Sequence, residues 1–231
     1  MLIKTGGIVE RASGKLNGIV FSHNRFGAYV RAIGSPVNPN TDRQQAVRNI
    51  FQTLAELWKN TLTEAQRTAW ELYAASVPVL NRLGDSIYLT GLNHYIRSNV
   101  ARIDADLTRV DDGPTNFTLA DSDPAFACAI SEATQEITVT FDDTLDWASE
   151  DDAMMQIRMT RPVNESRQFI NPIYQVADYL EGDSTTPLTS TQAVACPFVV
   201  TEDQLVIVEG RISRADGRLS QKFRDTVQIA S

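Results

Sequence analysis

The sequence of 231 residues is poor in the residues that metal sites, disulfides and nucleophilic catalysis need. It contains two cysteines, Cys128 and Cys196, and two histidines, His23 and His94. Two cysteines are too few for a disulfide framework, and two free thiols are the favoured interpretation. Zinc-binding motifs, a P-loop and a GxSxG nucleophile motif are absent from the sequence. We therefore expect a protein that is not an enzyme and that has no metal and no cofactor.

Long apolar runs and an excess of positive charge are also lacking. No run approaches the ~18 apolar residues of a membrane span, and the first residues do not look like a signal peptide. We therefore expect a soluble product, made in the cytoplasm, with no membrane contact. The chain has 21 basic and 29 acidic residues, a net charge of −8, which argues against nucleic-acid binding by the molecule as a whole.

The charge is divided unevenly along the chain. Residues 1–105 contain 12 basic and 7 acidic residues, whereas residues 106–231 contain 9 and 22. Such asymmetry indicates separate domains, and the Asp-Asp-Gly-Pro sequence at residues 111–114 is typical of a turn or linker. We predict an extended basic arm and hairpin at residues 1–40, a helical domain at 41–110 and an acidic β domain at 111–231.

The N-terminal arm is predicted to end in a two-stranded hairpin. Two short apolar runs, residues 18–22 and 28–33, flank a link that contains Asn24 and Gly27. A hairpin of two strands is marginal in water and must pack on something. Three interpretations of the arm are open: it is solvated, it docks on DNA, or it docks on protein. Docking on protein is favoured because the other half of the chain is acidic. The predicted assembly interface comprises Lys4, Arg11, Lys15, Phe21, Arg25, Phe26, Tyr29 and Arg31.

Three amphipathic helices are predicted next, as a small helical unit. Thr41 and Thr63 are each followed three residues later by glutamine, which is the spacing of a capping box. Apolar residues at helical spacing follow both sites, and Pro78 ends the second helix. The third helix is predicted to begin near residue 90 or 91. Short amphipathic helices need one another, so Trp58 and Trp70 are interpreted as core or interface anchors.

The acidic half is predicted to be an antiparallel β-sandwich of the immunoglobulin or fibronectin type, which makes the fold class α+β. Residues 136–142 and 155–159 alternate between apolar and polar side chains. A long hairpin is predicted over residues 205–229, with its turn at the Asp216-Gly217 pair. Residues 169–191 are predicted to be a turn-rich excursion with at most one short strand. Several alternating strands in about 110 residues are typical of a sandwich.

Two further kinds of site have weak support. Acidic clusters at residues 121–123, 142–143 and 150–152 offer oxygen ligands for Ca²⁺, but they lack the EF-hand pattern and are better explained as solvated loop residues. A glycan-binding face would need clustered exposed aromatic residues. The scattered candidates are Trp147, Tyr174 and Tyr179.

Several segments spread over the chain resemble one protein family. They lie at residues 14–31, 36–41, 44–48, 62–70, 89–97, 181–187 and 211–220. The family comprises uncharacterised proteins of tailed bacteriophages and of phage-derived genome regions. The resemblance implies a structural protein of the capsid, neck or tail, located in the virion, whose partners are copies of itself and other virion proteins.

From these observations we expect a homo-oligomeric virion protein that assembles through its N-terminal arm and helices. One alternative is a DNA-contacting virion protein, because the N-terminal half is basic and residues 51–75 are loosely similar to two helices of an HMG box. The HMG-box helix order would be permuted and no dense basic stripe is present, so DNA binding is not favoured. Another alternative is a glycan-binding module on the particle surface.

Overall fold

The N-terminal region forms a three-stranded antiparallel sheet. The computed structural model describes residues 12–24, 27–34, 37–81, 83–167 and 173–231. Strands β2 (Ile19–Asn24) and β3 (Gly27–Ala32) pair as predicted, and β1 (Gly14–Leu16) pairs with the other edge of β2. The sequence analysis predicted two strands here, and β1 is a third strand that it did not predict. Asn17 and Gly18 both have positive φ, as an Asn-Gly hairpin turn requires, and this pair is a sequence signal for the third strand.

The three predicted helices are present, and each begins after a threonine. They are α1 (Asp42–Asn60), α2 (Glu64–Ser76) and α3 (Gly91–Asp104). The Thr41, Thr63 and Thr90 hydroxyls accept hydrogen bonds from backbone N–H groups of the first turns. The capping box is complete at Thr63, whose backbone N–H donates to the Gln66 side chain at 2.9 Å. A short ladder of β4 (Val79–Leu80) and β5 (Ser86–Ile87) follows Pro78 and leads into α3.

Aromatic side chains form the centre of the helical unit. Trp70 and Tyr95 are fully buried, and their rings meet edge to face with centroids 5.8 Å apart. Trp58 packs against Tyr95 from α1 at 5.5 Å. The prediction that Trp58 and Trp70 are core anchors is confirmed.

The segment after α3 returns to pack on α2. The Trp70 Nε1–H donates to the Asp111 carbonyl at 3.0 Å, and Gly113 lies so close to Ala69 that a Cβ at residue 113 would be 2.6 Å from the Ala69 carbonyl carbon. Pro114 is buried as well. The Asp-Asp-Gly-Pro sequence is thus packed against the helical unit, while the division of the chain into three domains stays a prediction.

The C-terminal half consists of antiparallel strands in two sheets. One sheet has the order β10-β8-β12-β13, with β9 pairing on β12, and the other has the order β11-β7-β6. The strands are β6 (Ala127–Ser131), β7 (Glu136–Thr140), β8 (Met154–Thr160), β9 (Val163–Asn164), β10 (Tyr174–Glu181), β11 (Gln192–Ala195), β12 (Gln204–Ser213) and β13 (Phe223–Gln228). The predicted C-terminal hairpin is the β12–β13 pair. The excursion contains more structure than expected, because β10 has eight residues.

The two sheets bury their apolar residues in one common core. Alternate residues of β8, among them Ile157, and of β12, among them Val208, meet Ile137 and Val139 of β7 there. Trp147, in a 3-10 turn at Asp146–Ser149, is 1% exposed and fills one side of this core. The α+β class, with three helices and several antiparallel sheets, is confirmed.

Both cysteines are free thiols within this part of the molecule. Cys128 and Cys196 are half-buried beside the common core. Burial, reinforced by the nearby Asp225 carboxylate, raises the pKa of Cys128 to about 12. Burial also raises the pKa of Cys196 to about 11.

Among the helices of the described residues, none has the length and apolar character needed to cross a membrane.

Candidate functional site: an uncovered sheet and a basic cleft

The N-terminal sheet has one apolar face and one basic face. Residues opposite one another on paired strands share a face, and successive residues alternate between faces. The register pairs Phe21 with Val30 and Leu16 with Ile19, which places these four on one face. The opposite face carries Lys15, Val20, Ser22, Tyr29 and Arg31.

This sheet lacks a core of its own. Of the residues described between 12 and 34, none is buried, and Leu16 and Ile19 are 66% and 42% exposed. The extensive contacts of β1, β2 and β3 in the described part of the chain are with one another. The segment that joins the sheet to α1 is also exposed, with Val37 at 90%. An apolar face in this state gains free energy when another surface covers it.

The sequence-predicted interface residues fall into three groups. Lys15, Tyr29 and Arg31 lie together on the basic face, and Phe21 lies on the apolar face. The other four, Lys4, Arg11, Arg25 and Phe26, lie outside the described residues. The sequence analysis missed Leu16, because β1 was not predicted. Ile19 lies in a predicted strand, but without β1 as a partner its exposed position on the apolar face could not be recognised.

A second site lies where the helices meet the outer face of the larger sheet. α3 presents a buried polar stripe at this boundary, consisting of His94, Ser98, Asn99 and Arg102. The Ser98 hydroxyl donates to the Gly217 carbonyl at 2.6 Å. Arg102 donates to the carbonyls of Thr108 and Asp152, each at 2.7 Å. These bonds join the helical unit to loops of the C-terminal half.

Next to this stripe, a cleft of about 620 Å³ separates α1 and α3 from strands β8, β10 and β12. Its apolar walls include Val47 and Phe51 of α1, and Ile96 and Val100 of α3. Its volume lies within the range of ordinary small-molecule sites. A neighbouring cavity of about 890 Å³ shares Arg43, Asp104 and Val176 with it.

Asp104 joins three elements at the edge of the cleft. Its carboxylate accepts both Nη groups of Arg43 from α1 and the hydroxyl of Tyr179 from β10. Burial by itself raises the pKa of Asp104, but the hydrogen bonds from Arg43 and Tyr179 outweigh it and hold the pKa below its usual value. Asp104 is therefore ionised at neutral pH and clamps α1 to the larger sheet.

Glu209 is a buried carboxylate surrounded by three cations. It is 1% exposed and accepts the Arg158 guanidinium, the Lys222 ammonium at 3.0 Å and the Arg224 guanidinium at 2.8 Å. Burial by itself raises the pKa of Glu209, and the three cations reverse this, so that the pKa lies below its usual value. Tyr174 lies between Arg158 and Arg224, with its ring centroid 5.2 and 5.5 Å from their Cζ atoms.

The acidic loop residues act mainly as caps of the backbone. Buried Asp123 accepts the N–H groups of Ala125 and Asp142, at 2.8 and 2.9 Å. Asp151 accepts the N–H and hydroxyl of Ser184. Within the described ranges, no group of three or more His, Cys, Asp or Glu side chains is arranged to hold a metal ion.

The candidate aromatic residues for glycan binding do not form an exposed face. Trp147 is buried in the core, so its interpretation as a surface aromatic residue is wrong. Tyr174 and Tyr179 are half-buried, the first between two arginines and the second bonded to Asp104.

Comparisons with known proteins add little to this geometry. No protein-family model matches the chain, and no curated protein matches it significantly. A crystal structure of a family 76 glycoside hydrolase from a bovine Bacteroides thetaiotaomicron strain is similar over 48% of this chain, with 16% identity and a TM-score of 0.33. The chain covers 21% of the length of that hydrolase. A likeness at this TM-score carries no argument about fold or activity.

Proposed function

We propose that this protein is a structural component of a bacteriophage virion, in the capsid, neck or tail, that assembles through its N-terminal arm and helices. The observation that carries the proposal is the uncovered sheet of β1, β2 and β3. Leu16 and Ile19 leave its apolar face exposed, and exposed apolar surface gains free energy when another surface covers it. The resemblance to tailed-bacteriophage proteins supplies the biological setting.

The basic face, which lies opposite the apolar face, offers a second contact surface whose partner follows from charge. The N-terminal sheet presents Lys15 and Arg31 on one face, whereas residues 106–231 carry 22 acidic residues against 9 basic ones. A sheet of one copy on the acidic half of the next is a head-to-tail contact, which generates rings or open lattices. A homo-oligomer is thus part of the proposal.

The two C-terminal sheets with their common core support a further assignment, an immunoglobulin-like β-sandwich. Antiparallel pairing and alternate burial along β7, β8 and β12 are typical of such a domain. Trp147 stands in a 3-10 turn rather than on a central strand, and the two cysteines are not paired. We therefore propose the general sandwich architecture rather than that of an antibody domain.

Light scattering on purified protein tests the assembly role. We expect the full chain to form a ring or larger oligomer, and deletion of residues 1–35 to give a folded monomer. The point variant Leu16→Ser/Ile19→Ser should have the same effect, because it removes the apolar face. The matched control is Leu80→Ser/Leu83→Ser, which changes two exposed leucines in the segment between α2 and α3. Monomers in all four proteins, with no co-sedimentation on phage particles, would contradict the proposal.

The basic face makes DNA contact the second candidate. Lys15 and Arg31 lie on one surface without a carboxylate partner in the described chain. If DNA is the partner, duplex binding should weaken steeply with added salt, and Lys15→Glu/Arg31→Glu should abolish it. Oligomerisation that persists in this variant together with absent DNA binding favours the protein partner.

A further inference from the structure

The wall of the cleft contains two arginines that form no ion pair within the part of the chain that the structure describes. Arg97 lies on α3 and Arg211 on β12, and both line the cleft. The Nε and Nη2 atoms of Arg211 are shielded from solvent and have no hydrogen-bond partner within the described residues. Neither arginine forms an ion pair with a described residue. Buried N–H groups in native proteins are almost always bonded, so these two groups need a partner, either water or a bound ligand.

Arg102 shows that this protein satisfies a buried guanidinium where its role is structural. Arg102 is 1% exposed, and its Nε and Nη1 groups donate to three backbone carbonyls. Arg211 lies at the same boundary between α3 and the C-terminal half, yet no carbonyl or carboxylate of a described residue accepts a hydrogen bond from its Nε and Nη2 groups. The difference distinguishes an arginine that holds the fold together from one that faces the cleft.

Two carboxylates close to the cleft are already occupied. Glu209 is bonded to Arg158, Lys222 and Arg224, and Asp104 is bonded to Arg43 and Tyr179. The charged residues that line the cleft are Arg43, Arg97, Arg158 and Arg211 with the single carboxylate of Asp104, so the cleft keeps an excess of positive charge even when Glu209 is counted against Arg158. Burial, and then repulsion by Arg97 and Arg158, lowers the pKa of Arg211 to about 9, so the guanidinium remains charged at neutral pH.

His94 belongs to the same unsatisfied cluster. Its Nε2 atom is buried without a hydrogen-bond partner in the described chain. Burial, followed by the charges of Arg97 and Arg211, lowers the pKa of His94 to about 4. The imidazole is therefore neutral at pH 7, and it does not contribute to the excess charge. Water would satisfy the free N–H groups, but only an anion would offset the charge of the two guanidinium groups.

We propose that the cleft between α3 and β12 binds a phosphomonoester with a partly apolar body, and that Arg97 and Arg211 hold its phosphate. A phosphomonoester carries about two negative charges at neutral pH, which matches the two unpaired guanidinium groups, whereas a carboxylate would offset only one. The apolar walls formed by Val47, Phe51 and Val100 would cover the organic part. This site is separate from the N-terminal sheet and does not depend on the assembly role.

Calorimetric titration of the full chain, in phosphate-free buffer at constant ionic strength, tests the site. The probes are phenyl phosphate, inorganic phosphate and acetate. We expect phenyl phosphate to bind more tightly than inorganic phosphate, because its ring lies on the apolar walls, and acetate to bind more weakly than both. Equal binding of all three probes, or tighter binding of inorganic phosphate, would overturn the proposal.

Three variants assign the binding to this cleft. Arg211→Met and Arg97→Met should each weaken phenyl phosphate binding about tenfold or more, since each removes charge-assisted hydrogen bonds. Arg48→Met, at an exposed arginine of α1 that does not line the cleft, is the matched control and should leave binding unchanged. If Arg211→Met does not fold, Arg97→Met decides the question, because Arg97 lacks a structural hydrogen bond.

A measurement without ligand separates binding from a structural role. Because Arg211 is an unpaired buried charge, Arg211→Met should melt at the same temperature as the native chain or higher in phosphate-free buffer. It should also lose the rise in melting temperature that phenyl phosphate gives the native protein. A variant that melts lower and still responds to phenyl phosphate would refute the assignment. Unchanged affinity for phenyl phosphate in both cleft variants would also refute the assignment. Displacement of phenyl phosphate by duplex DNA at equal phosphate concentration would refute it too.

Discussion

The two β regions of this molecule solve the same problem in opposite ways. The C-terminal sheets bury their apolar side chains against each other, and Ile157 and Val208 are completely shielded there. The N-terminal sheet has regular pairing over three strands but no buried residue between 12 and 34 among those described. Backbone hydrogen bonding alone contributes little net stability. The C-terminal sheets are therefore stabilised by their own core, whereas the N-terminal sheet gains stability when another surface covers its apolar face.

The largest expected effect compares one isoleucine in each region. Ile157→Ala should lower the free energy of unfolding by about 2–5 kcal/mol, because it leaves a cavity in the common core. Ile19→Ala, on the exposed apolar face, should change it by less than about 0.5 kcal/mol. Urea unfolding followed by tryptophan fluorescence gives both values. Equal costs in the dissociated monomer would mean that the N-terminal sheet is packed on the body after all.

The two histidines compare a buried position on α3 with an exposed position on the N-terminal sheet, through the pH dependence of stability. The pKa of His94 falls from 6.5 to about 4 in the folded chain, so protonation favours the unfolded state. The native protein should therefore lose about 2 kcal/mol of stability as the pH falls from 6.5 to 4. His94→Gln should remove this loss, whereas His23→Gln, on the exposed β2 strand, should not. Thermal unfolding across this pH range measures it, and identical profiles for the two variants would contradict the expectation.

Glu209 tests whether charge or apolar contact holds the outer face of the larger sheet. Glu209→Gln leaves Arg158, Lys222 and Arg224 without their common anion and should cost about 2 kcal/mol at pH 7. Since the pKa of Glu209 is lowered, its stabilising effect is present above the unfolded pKa and is lost as the pH falls through the folded one. The difference between native and variant proteins should therefore shrink below about pH 4. A pH-independent difference in urea unfolding would indicate a packing defect instead.

The smallest expected effect concerns the clamp at Asp104. Asp104→Asn weakens the bonds to Arg43 and Tyr179 and should cost about 1 kcal/mol, since Arg43 is largely exposed. Asp106→Asn is the matched control, because Asp106 is exposed and its positive φ suits asparagine. Chemical denaturation compares the two. A larger cost at residue 106 would refute the clamp.

Local sequence signals determined the helices and most strands of the core. The capping threonines, Pro78 and the apolar spacing predict α1, α2 and α3, because caps and amphipathic periodicity act within a few residues. The alternation along β7, β8 and β12 likewise predicts strands with one buried face. The Asn17-Gly18 pair carried an equally local signal for β1, which the sequence analysis did not use.

Only the tertiary structure decided which polar residues meet. Arg97 and Arg211 are far apart in sequence, and they line one cleft because α3 packs on the outer face of the larger sheet. His94, on the same helix as Arg97, is buried close enough for both arginines to lower its pKa. The same packing buries Ser98 and Arg102, which composition assigns to the surface. The exposure of Leu16 and Ile19 on the N-terminal sheet was equally unpredictable, because the sequence predicts strands but does not say whether another surface covers them. Local sequence patterns determine the helices and strands, whereas long-range packing determines which residues line the cleft.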